Sequence, residues 1–237
     1  MQNPLVLKLK RFAALSEAEI DAVSGLSGQK LGVDAGRDVI RQGDKPATVA
    51  LILEGLACRY KLTEAGERQI VGIMVPGDLC DLHAFLLDKM DHSIAALTNL
   101  TLTYISREKL VHLFDTEPRI TRALWWGTLV DESTLREWLM NVATRSSYER
   151  LAHLLSELCM RLETVGLATP EGCDIHIRQA DLADAVGLGR QHVNSSLAKL
   201  QEEGLIDLRR GSIRVLDVNG LRAAGQFNQH YLHLQNL

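Results

Sequence analysis

Between Gln29 and about Ser106 the apolar residues come in short runs that Gly and Asp punctuate. Val39-Ile40 leads into Gln42-Gly43-Asp44, and Val49–Leu53 into Glu54-Gly55. Leu56–Leu62 leads into Thr63–Glu67, and Gln69–Val75 into Pro76-Gly77-Asp78; His92–Leu97 and Leu100–Ile105 complete the series. Short strands with turn residues at this spacing predict an antiparallel β-sandwich or barrel, with Glu64-Ala65-Gly66-Glu67 as a hairpin tip. Residues 1–28 read as a helical prelude. There Ser16 and Glu19 have the spacing of a capping box, and Phe12, Ile20 and Val23 face inward.

From about Glu117 to Thr144 the period is helical, and a helix of that length is roughly 40 Å long, more than one small β-domain can bury. It carries Trp125, Trp126 and Trp138 beside Leu124, Leu129, Leu135 and Leu139. A helix apolar on more than one face needs a second partner, and a symmetry-related copy is the simplest, so a homodimer is expected. The tryptophans are read as packing residues. Ser146-Ser147 interrupts the pattern and caps a further helix, Tyr148–Glu163, with Leu151, Leu154, Leu155 and Leu158 on its core stripe. A hinge falls near Ser146, and Thr164–Gly172 is loop.

The stretch from Ile175 to Leu216 is the most specific part of the chain. Gln179–Val186 is helical, with Leu182, Ala183 and Val186 on one face, and Gly187-Leu188-Gly189 is too short to be a free loop. A second amphipathic segment starts at Arg190, with Val193, Leu197 and Leu200 inward. Ala183 lets two helices cross closely, and Gly187 supplies a positive φ between them. This predicts a helix-turn-helix. Gly204–Leu208, Arg209-Arg210-Gly211-Ser212 and Ile213–Leu216 then read as strand, basic turn and strand, a β-hairpin wing. Arg190, Gln191, His192, Asn194, Ser195 and Ser196 are expected to face outward, where such side chains hydrogen-bond base edges or phosphates. Arg178 and Gln179 at the start of the first helix, with Arg209 and Arg210 in the wing, complete the candidate contacts to double-stranded DNA. Beyond the wing, a turn at 217–220 precedes a final helix containing Leu221 and Phe227, and the partly apolar tail either docks or frays.

Composition adds limits. The chain has 237 residues, 46% hydrophobic and 24% charged, with a net charge of −4. An acidic total does not argue against DNA, because only the local face matters. From His176 to Leu216 there are six Lys or Arg against five acids, and the basic residues sit at the turn, helix start and wing. No apolar run approaches a membrane span and the N-terminus lacks a signal-peptide pattern, so no membrane association and a cytoplasmic setting are expected. Cys58, Cys80, Cys159 and Cys173 form no CxxC pair and are expected to be buried thiols rather than disulfides or zinc ligands. His230 and His233 are read as solvated, and no metal site is expected. No Ser/His/Asp constellation or phosphate-cradling loop occurs, so an enzyme is not expected.

The order of β-roll, long helix and winged helix-turn-helix resembles the cyclic-AMP receptor protein and fumarate–nitrate regulator (Crp/Fnr) family of bacterial transcription factors. The resemblance covers nearly the whole chain. It is carried by Ile40-Arg41-Gln42-Gly43-Asp44, Leu53-Glu54-Gly55, Pro76-Gly77-Asp78 and the run from Asp181 to Arg190. It implies an α+β fold with a cyclic-nucleotide-binding-like jelly roll over 1–116, a dimerisation helix over 117–145 and a DNA-binding domain over 146–237. It also implies a symmetric dimer that binds a palindrome and contacts RNA polymerase. Arg190 then takes the base-reading arginine position, while Gln191 and Ser195 replace the family's common Glu and Arg.

The departures concern the effector. In the cyclic-AMP branch a Gly-Glu pair holds the ribose and an Arg-Ser pair the phosphate; here Asp81-Leu82 and His92-Ser93 stand in those places. A cyclic phosphate needs a fixed cation or a fork of donors, which neutral His92 does not supply, and Asp78 and Asp81 bring negative charge. Leu135-Arg136 stand where that branch has adenine-contacting hydroxyls. Cyclic AMP is therefore not expected. An iron–sulfur cluster of the fumarate–nitrate type needs N-terminal cysteines, and the first cysteine is Cys58. The haem branch places a histidine where His83 falls, but Asp81 stands where that branch has cysteine, and a lone histidine is more often structural. The cofactor is left unassigned. A haem- or other ligand-responsive module using its helix-turn-helix only for protein contacts is the competing reading.

Overall fold

Pro4 opens the first helix, α1 (Pro4–Leu9), where its missing N–H is not needed, and the Asn3 side chain accepts from the Leu5 N–H at 3.0 Å. The chain is described by a computed structural model over residues 2–82 and 89–234. Helix α2 (Glu17–Ser24) begins with the expected capping box: the Ser16 N–H donates to Glu19 Oε2 at 2.7 Å, and the Glu19 N–H donates to Ser16 Oγ at 3.3 Å. Phe12 and Val23 are buried and Ile20 half-buried.

Strands β1 (Lys30–Val33), β2 (Asp38–Ile40), β3 (Thr48–Glu54), β4 (Ala57–Leu62), β5 (Arg68–Met74), β6 (Leu79–Cys80), β7 (Ser93–Ala96) and β8 (Leu100–Ser106) build two antiparallel sheets. Their orders are β1-β8-β3-β6 and β2-β7-β4-β5. Between them Ile40, Ile52, Met74, Ile94, Leu100 and Leu102 form a buried core. Strands β1 and β6 escape the hydrophobic pattern because β1 is almost wholly exposed and β6 has only two residues. The β4–β5 hairpin turns at Glu64–Glu67, where Gly66 adopts φ +80°.

Helix α3 (Arg107–Thr116), which the strand-rich pattern conceals, is capped by Ser106. Helix α4 (Pro118–Thr144) is the long one, and α5 (Ser147–Thr164) follows a second capping box between Ser146 and Glu149. Strand β9 (Cys173–Ile175), α6 (Gln179–Val186), α7 (Arg190–Glu202), β10 (Ile206–Arg209), β11 (Ser212–Val215) and α8 (Val218–Ala224) complete the chain, with a 3₁₀ turn at Gln229–Leu232. The wing is a three-stranded sheet of order β10-β11-β9. Gly187 takes the left-handed conformation, φ +63°, which ends α6 and starts the turn into α7.

Three expectations need correction. Cys159 of α5 and Cys173 of β9 are disulfide-bonded across 14 residues, with their Cα atoms 5.9 Å apart. Sequence spacing could not show that α5 and β9 pack in one core. Ser196 does not face outward: it is buried against the domain core, one helical turn from Leu200. The final helix stops at Ala224, before Phe227, and is followed by Gly225, which lies against the α5 backbone at Ala152–His153 with no room for a side chain. The tail then docks, with Leu232 buried in the cluster that holds Leu5, Leu9, Ile120 and Leu124.

A second core joins one face of the β-roll to the C-terminal half of the chain. Cys58, Ile70, Ile73 and Val75 of the β-roll share a cluster with Trp138, Leu154, Leu155 and Ile177. Below it runs a buried polar chain. Asp78 pairs with Lys8 at 2.6 Å and Arg161 at 2.8 Å, and Arg161 pairs with Glu157 at 3.2 Å. Glu157 accepts from Trp138 Nε1 at 3.0 Å and Tyr231 Oη at 2.9 Å. Burial raises the Asp78 pKa, but Lys8 and Arg161 more than reverse this and bring it to about 2.

Candidate nucleic-acid interface and cavity

On α7, Val193, Leu197 and Leu200 are buried, which turns the opposite face to solvent. Arg190, Gln191, His192, Asn194 and Ser195 are all exposed there. Gly189 ends the turn in an extended conformation, so the first N–H groups of α7 are not capped by a side chain. The Ser195 hydroxyl donates back to the His192 carbonyl at 3.1 Å, which keeps it close to its own helix.

Arg178 and Gln179 are exposed at the start of α6. The Arg178 guanidinium donates to both oxygens of Asp181, at 2.7 and 3.0 Å, and Asp181 is fully buried. In the wing Arg209 pairs with Asp207 at 2.9 Å and approaches Asp174 at 3.8 Å, while Arg210 is exposed at the hairpin tip beside Gly211. The face therefore offers Arg190 and Arg210 as exposed cations beside amide, imidazole and hydroxyl groups, a set suited to phosphates and base edges.

A cavity of about 450 Å³ opens between β4, β5, the 77–82 segment, α1 and α4. Asp81, Leu82, His92 and Leu135 line it. Ser93 is buried beside it and accepts from the Gln42 N–H at 2.9 Å. Arg136 is turned to solvent, donating to Glu132 at 2.6 Å and to Ser133 at 2.9 Å. His83 lies outside the described residues.

The charges of the cavity wall are mutually engaged. Arg59 Nε lies 3.2 Å from Asp81 Oδ1, and its other arm lies 3.2 Å from Asp131 Oδ2 on α4. His92 Nε2 lies 2.8 Å from Asp81 Oδ2, and its Nδ1 lies 2.7 Å from Asp91. Burial pushes the His92 pKa down, but the bonds and charges of Asp81 and Asp91 outweigh it and leave the pKa raised. Asp81 sits at φ +54°, an uncommon conformation for a residue other than glycine. The negative charge that Asp78 and Asp81 suggest in sequence is thus met on both by cations. The guanidinium absent from position 92 is supplied by Arg59, but two carboxylates already hold it.

Sequence reasoning missed Arg59 and Lys8 in this wall. It also missed Arg68 of β5, which reaches Asp181 and Asp184 of α6. None of the three stands in a recognisable motif, and each acquires its partner only through the tertiary fold.

Residues 31–117 match the model of the cyclic nucleotide-binding domain, and residues 149–224 match that of the Crp-like helix-turn-helix domain. The chain is 27% identical over 177 residues to the transcriptional activator protein FnrL of Cereibacter sphaeroides, covering 73% of this chain and 71% of that protein. It is 26% identical over 215 residues to the nitrogen fixation regulation protein FixK of Bradyrhizobium diazoefficiens, covering 90% and 89%. The structure of FixK2 from Bradyrhizobium japonicum shares the fold, with a TM-score of 0.73 at 19% identity over 83% of this chain and 96% of that one. No helix among the described residues is long and apolar enough to cross a membrane. With the jelly roll, the long helix and the winged helix-turn-helix in this order, the chain belongs to the Crp/Fnr family of transcription regulators.

Proposed function

We propose that the protein acts as a homodimer that binds a palindromic operator through two copies of α7, contacts RNA polymerase as the family does, and answers to an effector other than cyclic AMP. The observation that carries this reading is the open face of α7, where Arg190, Gln191, His192, Asn194 and Ser195 are exposed over a buried apolar stripe. Helix α4 supports the dimer. Trp125, Leu129, Leu135, Leu139, Met140 and Val142 are exposed along it, a stripe of large apolar groups that a monomer would leave in water. In this reading residues 1–116 sense, 117–145 dimerise and 146–237 read DNA.

Arg190 forks to guanine O6 and N7, Gln191 and Asn194 pair with adenine or meet neighbouring edges, and Arg210 meets phosphate. Arg178, Gln179, His192, Ser195 and Arg209 complete the contact surface. The cavity beside Asp81 and His92 is the effector site. Its cations are all held by carboxylates, so a phosphodiester would have to break Arg59 from Asp81 and Asp131 to gain a partner. Selection from random duplexes, followed by gel shifts over a salt series, tests the reading. It expects a palindrome and a linear fall of log affinity with log salt. Failure to enrich any duplex overturns it in favour of a protein-binding role for the helix-turn-helix.

A further inference from the structure

Strand β5 runs from the cavity to the helix-turn-helix. Val71, Gly72 and Ile73 line the cavity, and Arg68 at the strand's start reaches across to α6. Arg68 Nε donates to Asp184 Oδ2 at 2.8 Å, and its Nη2 lies 2.7 Å from the same oxygen while also bonding Asp181 Oδ1. The neighbouring Gln69 side chain donates to the Asp184 backbone carbonyl at 2.6 Å. The turn itself is seated here: a Cβ at Gly187 would stand 3.7 Å from Val142 of α4 and 3.9 Å from Gln69.

Asp181 is buried, and a buried carboxylate is tolerated only where cations and donors meet it. Arg178 approaches it from the exposed side and Arg68 from the β-roll, so α6 is fixed against β5 by a charged fork of defined geometry. Helices α6 and α7 share one core through Leu182, Ala183 and Val186 against Val193 and Leu197, so they move as a unit. Whatever holds α6 on the β-roll therefore sets the direction of α7 relative to α4.

We infer that Arg68, a β-roll residue outside the helix-turn-helix, is a positioning residue for operator recognition: with Asp181 and Asp184 it clamps the reading head to the β-roll and so fixes the half-site spacing the dimer accepts. The inference rests on the dimer and palindrome proposed above. Two reading helices held at fixed angles match one separation, and each added base pair shifts and rotates the second half-site away from its helix. A head freed from its clamp follows that shift.

The experiment uses the full chain and three duplexes carrying the selected half-sites at the preferred spacing and at one base pair more and fewer. Affinities are read by fluorescence anisotropy. The wild type is expected to lose on the order of tenfold or more at the two altered spacings, and Arg68→Ala to lose no more than about twofold, a difference of about fivefold or more that falls in the range of coupling between sites. Asp184→Ala, which leaves Arg68 on Asp181, is expected to flatten the profile part-way, and Arg68→Ala with Asp184→Ala to flatten it no further than Arg68→Ala alone. Arg68→Lys, which keeps the charge but not the fork, is expected to restore part of the preference. A merely structural role would lower affinity by the same factor at every spacing, and that result, or an unchanged profile in Arg68→Ala, overturns the clamp. If Arg68→Ala does not fold, Asp184→Ala, at a partly exposed position, carries the same two outcomes. A wild type indifferent to spacing overturns the palindrome reading instead.

Discussion

Cys159 and Cys173 are bonded to each other, tying the middle of α5 to the strand that leads into the helix-turn-helix. A bond closing a loop of this length restricts the unfolded chain and is worth about 3 kcal/mol. Reduction is therefore expected to lower the melting temperature by several degrees, and the double variant Cys159→Ser, Cys173→Ser to melt low with or without reductant. Alkylation of the unreduced, denatured chain should modify only Cys58 and Cys80, the two free thiols. In the folded protein both should resist the reagent, since burial pushes each thiol up to about 12. A melting temperature unmoved by reductant would show that the bond contributes nothing to the domain.

His153 gives the DNA-binding domain an acid-sensitive core. It is buried, faces the Gly225 carbonyl through Nδ1 at 3.1 Å, and packs against Phe227 and Tyr231. Burial, reinforced by the Arg145 charge, lowers its pKa to about 4 despite the Gly225 bond and Glu137. A histidine harder to protonate when folded stabilises the protein above its unfolded pKa of about 6.5, and that stability fades as pH falls from there toward 4. His153 alone contributes a loss on the order of 3 kcal/mol over this window, which Glu157, whose pKa burial raises, partly offsets as pH falls. His92 does not offset it, because its raised pKa puts its own change above the ordinary histidine value. Denaturant titrations across this range should show the drop, and His153→Asn, which can still donate to Gly225, should lose most of it. Equal drops in both proteins would sink the assignment.

The helix-turn-helix and its wing were legible because every determinant is local: Ala183, Gly187 and the Val193–Leu197–Leu200 stripe declare themselves within a few residues. The β-roll was legible from its glycine–acid turns, except where a strand is exposed, as β1 is, or too short to carry a period, as β6 is. What sequence could not show is long-range pairing. Arg59 meets Asp131 across 72 residues and Arg68 meets Asp184 across 116, and no spacing rule reaches that far. Ser196 failed for a subtler reason. A small hydroxyl is compatible with either face of a helix, so its chemistry did not reveal its burial.

Leu139 tests the dimer more cleanly than Leu135. Both are exposed on α4, but Leu135 also lines the cavity, so changing it would disturb two sites. Leu139→Glu places a charge in the proposed seam without touching the cavity. It is expected to yield monomers in sedimentation velocity and to abolish operator binding, with little change in melting of the isolated protomer. A wild type that sediments as a monomer at micromolar concentration removes the basis for this prediction.

Cyclic AMP is expected to give no saturable heat in calorimetry at a Kd below about 1 mM. The Arg59 guanidinium, the best candidate for a phosphate partner, is held 3.2 Å from each of two carboxylates, and His92 is held by Asp81 and Asp91. Releasing Arg59 would strip Asp81, almost fully buried, of the guanidinium that lies 3.2 Å from it. Tight, saturable binding would show that the nucleotide can offset that cost by rearranging the wall.

The operator prediction separates reading from gripping. Arg190 begins α7, is exposed, and in the proposed reading forks to guanine in each half-site. Arg190→Ala should cost on the order of 1–3 kcal/mol on duplexes carrying that guanine and relax the preference at that base pair alone. The wing behaves differently. Arg209 is already engaged by Asp207 and lies near Asp174, whereas Arg210 stands exposed at the tip, so the two are not equivalent despite being adjacent. Arg210→Ala should weaken every sequence by about the same factor and reduce the salt slope by about 0.9 for each phosphate that is no longer neutralised. Arg209→Ala should do so to a smaller extent, because part of its charge is already balanced within the protein. Competition with selected and mutated duplexes over a salt series measures both effects. If Arg190→Ala weakens all duplexes uniformly, or Arg210→Ala changes the preferred base and leaves the slope intact, then α7 is not the reading helix and the wing is not its phosphate anchor.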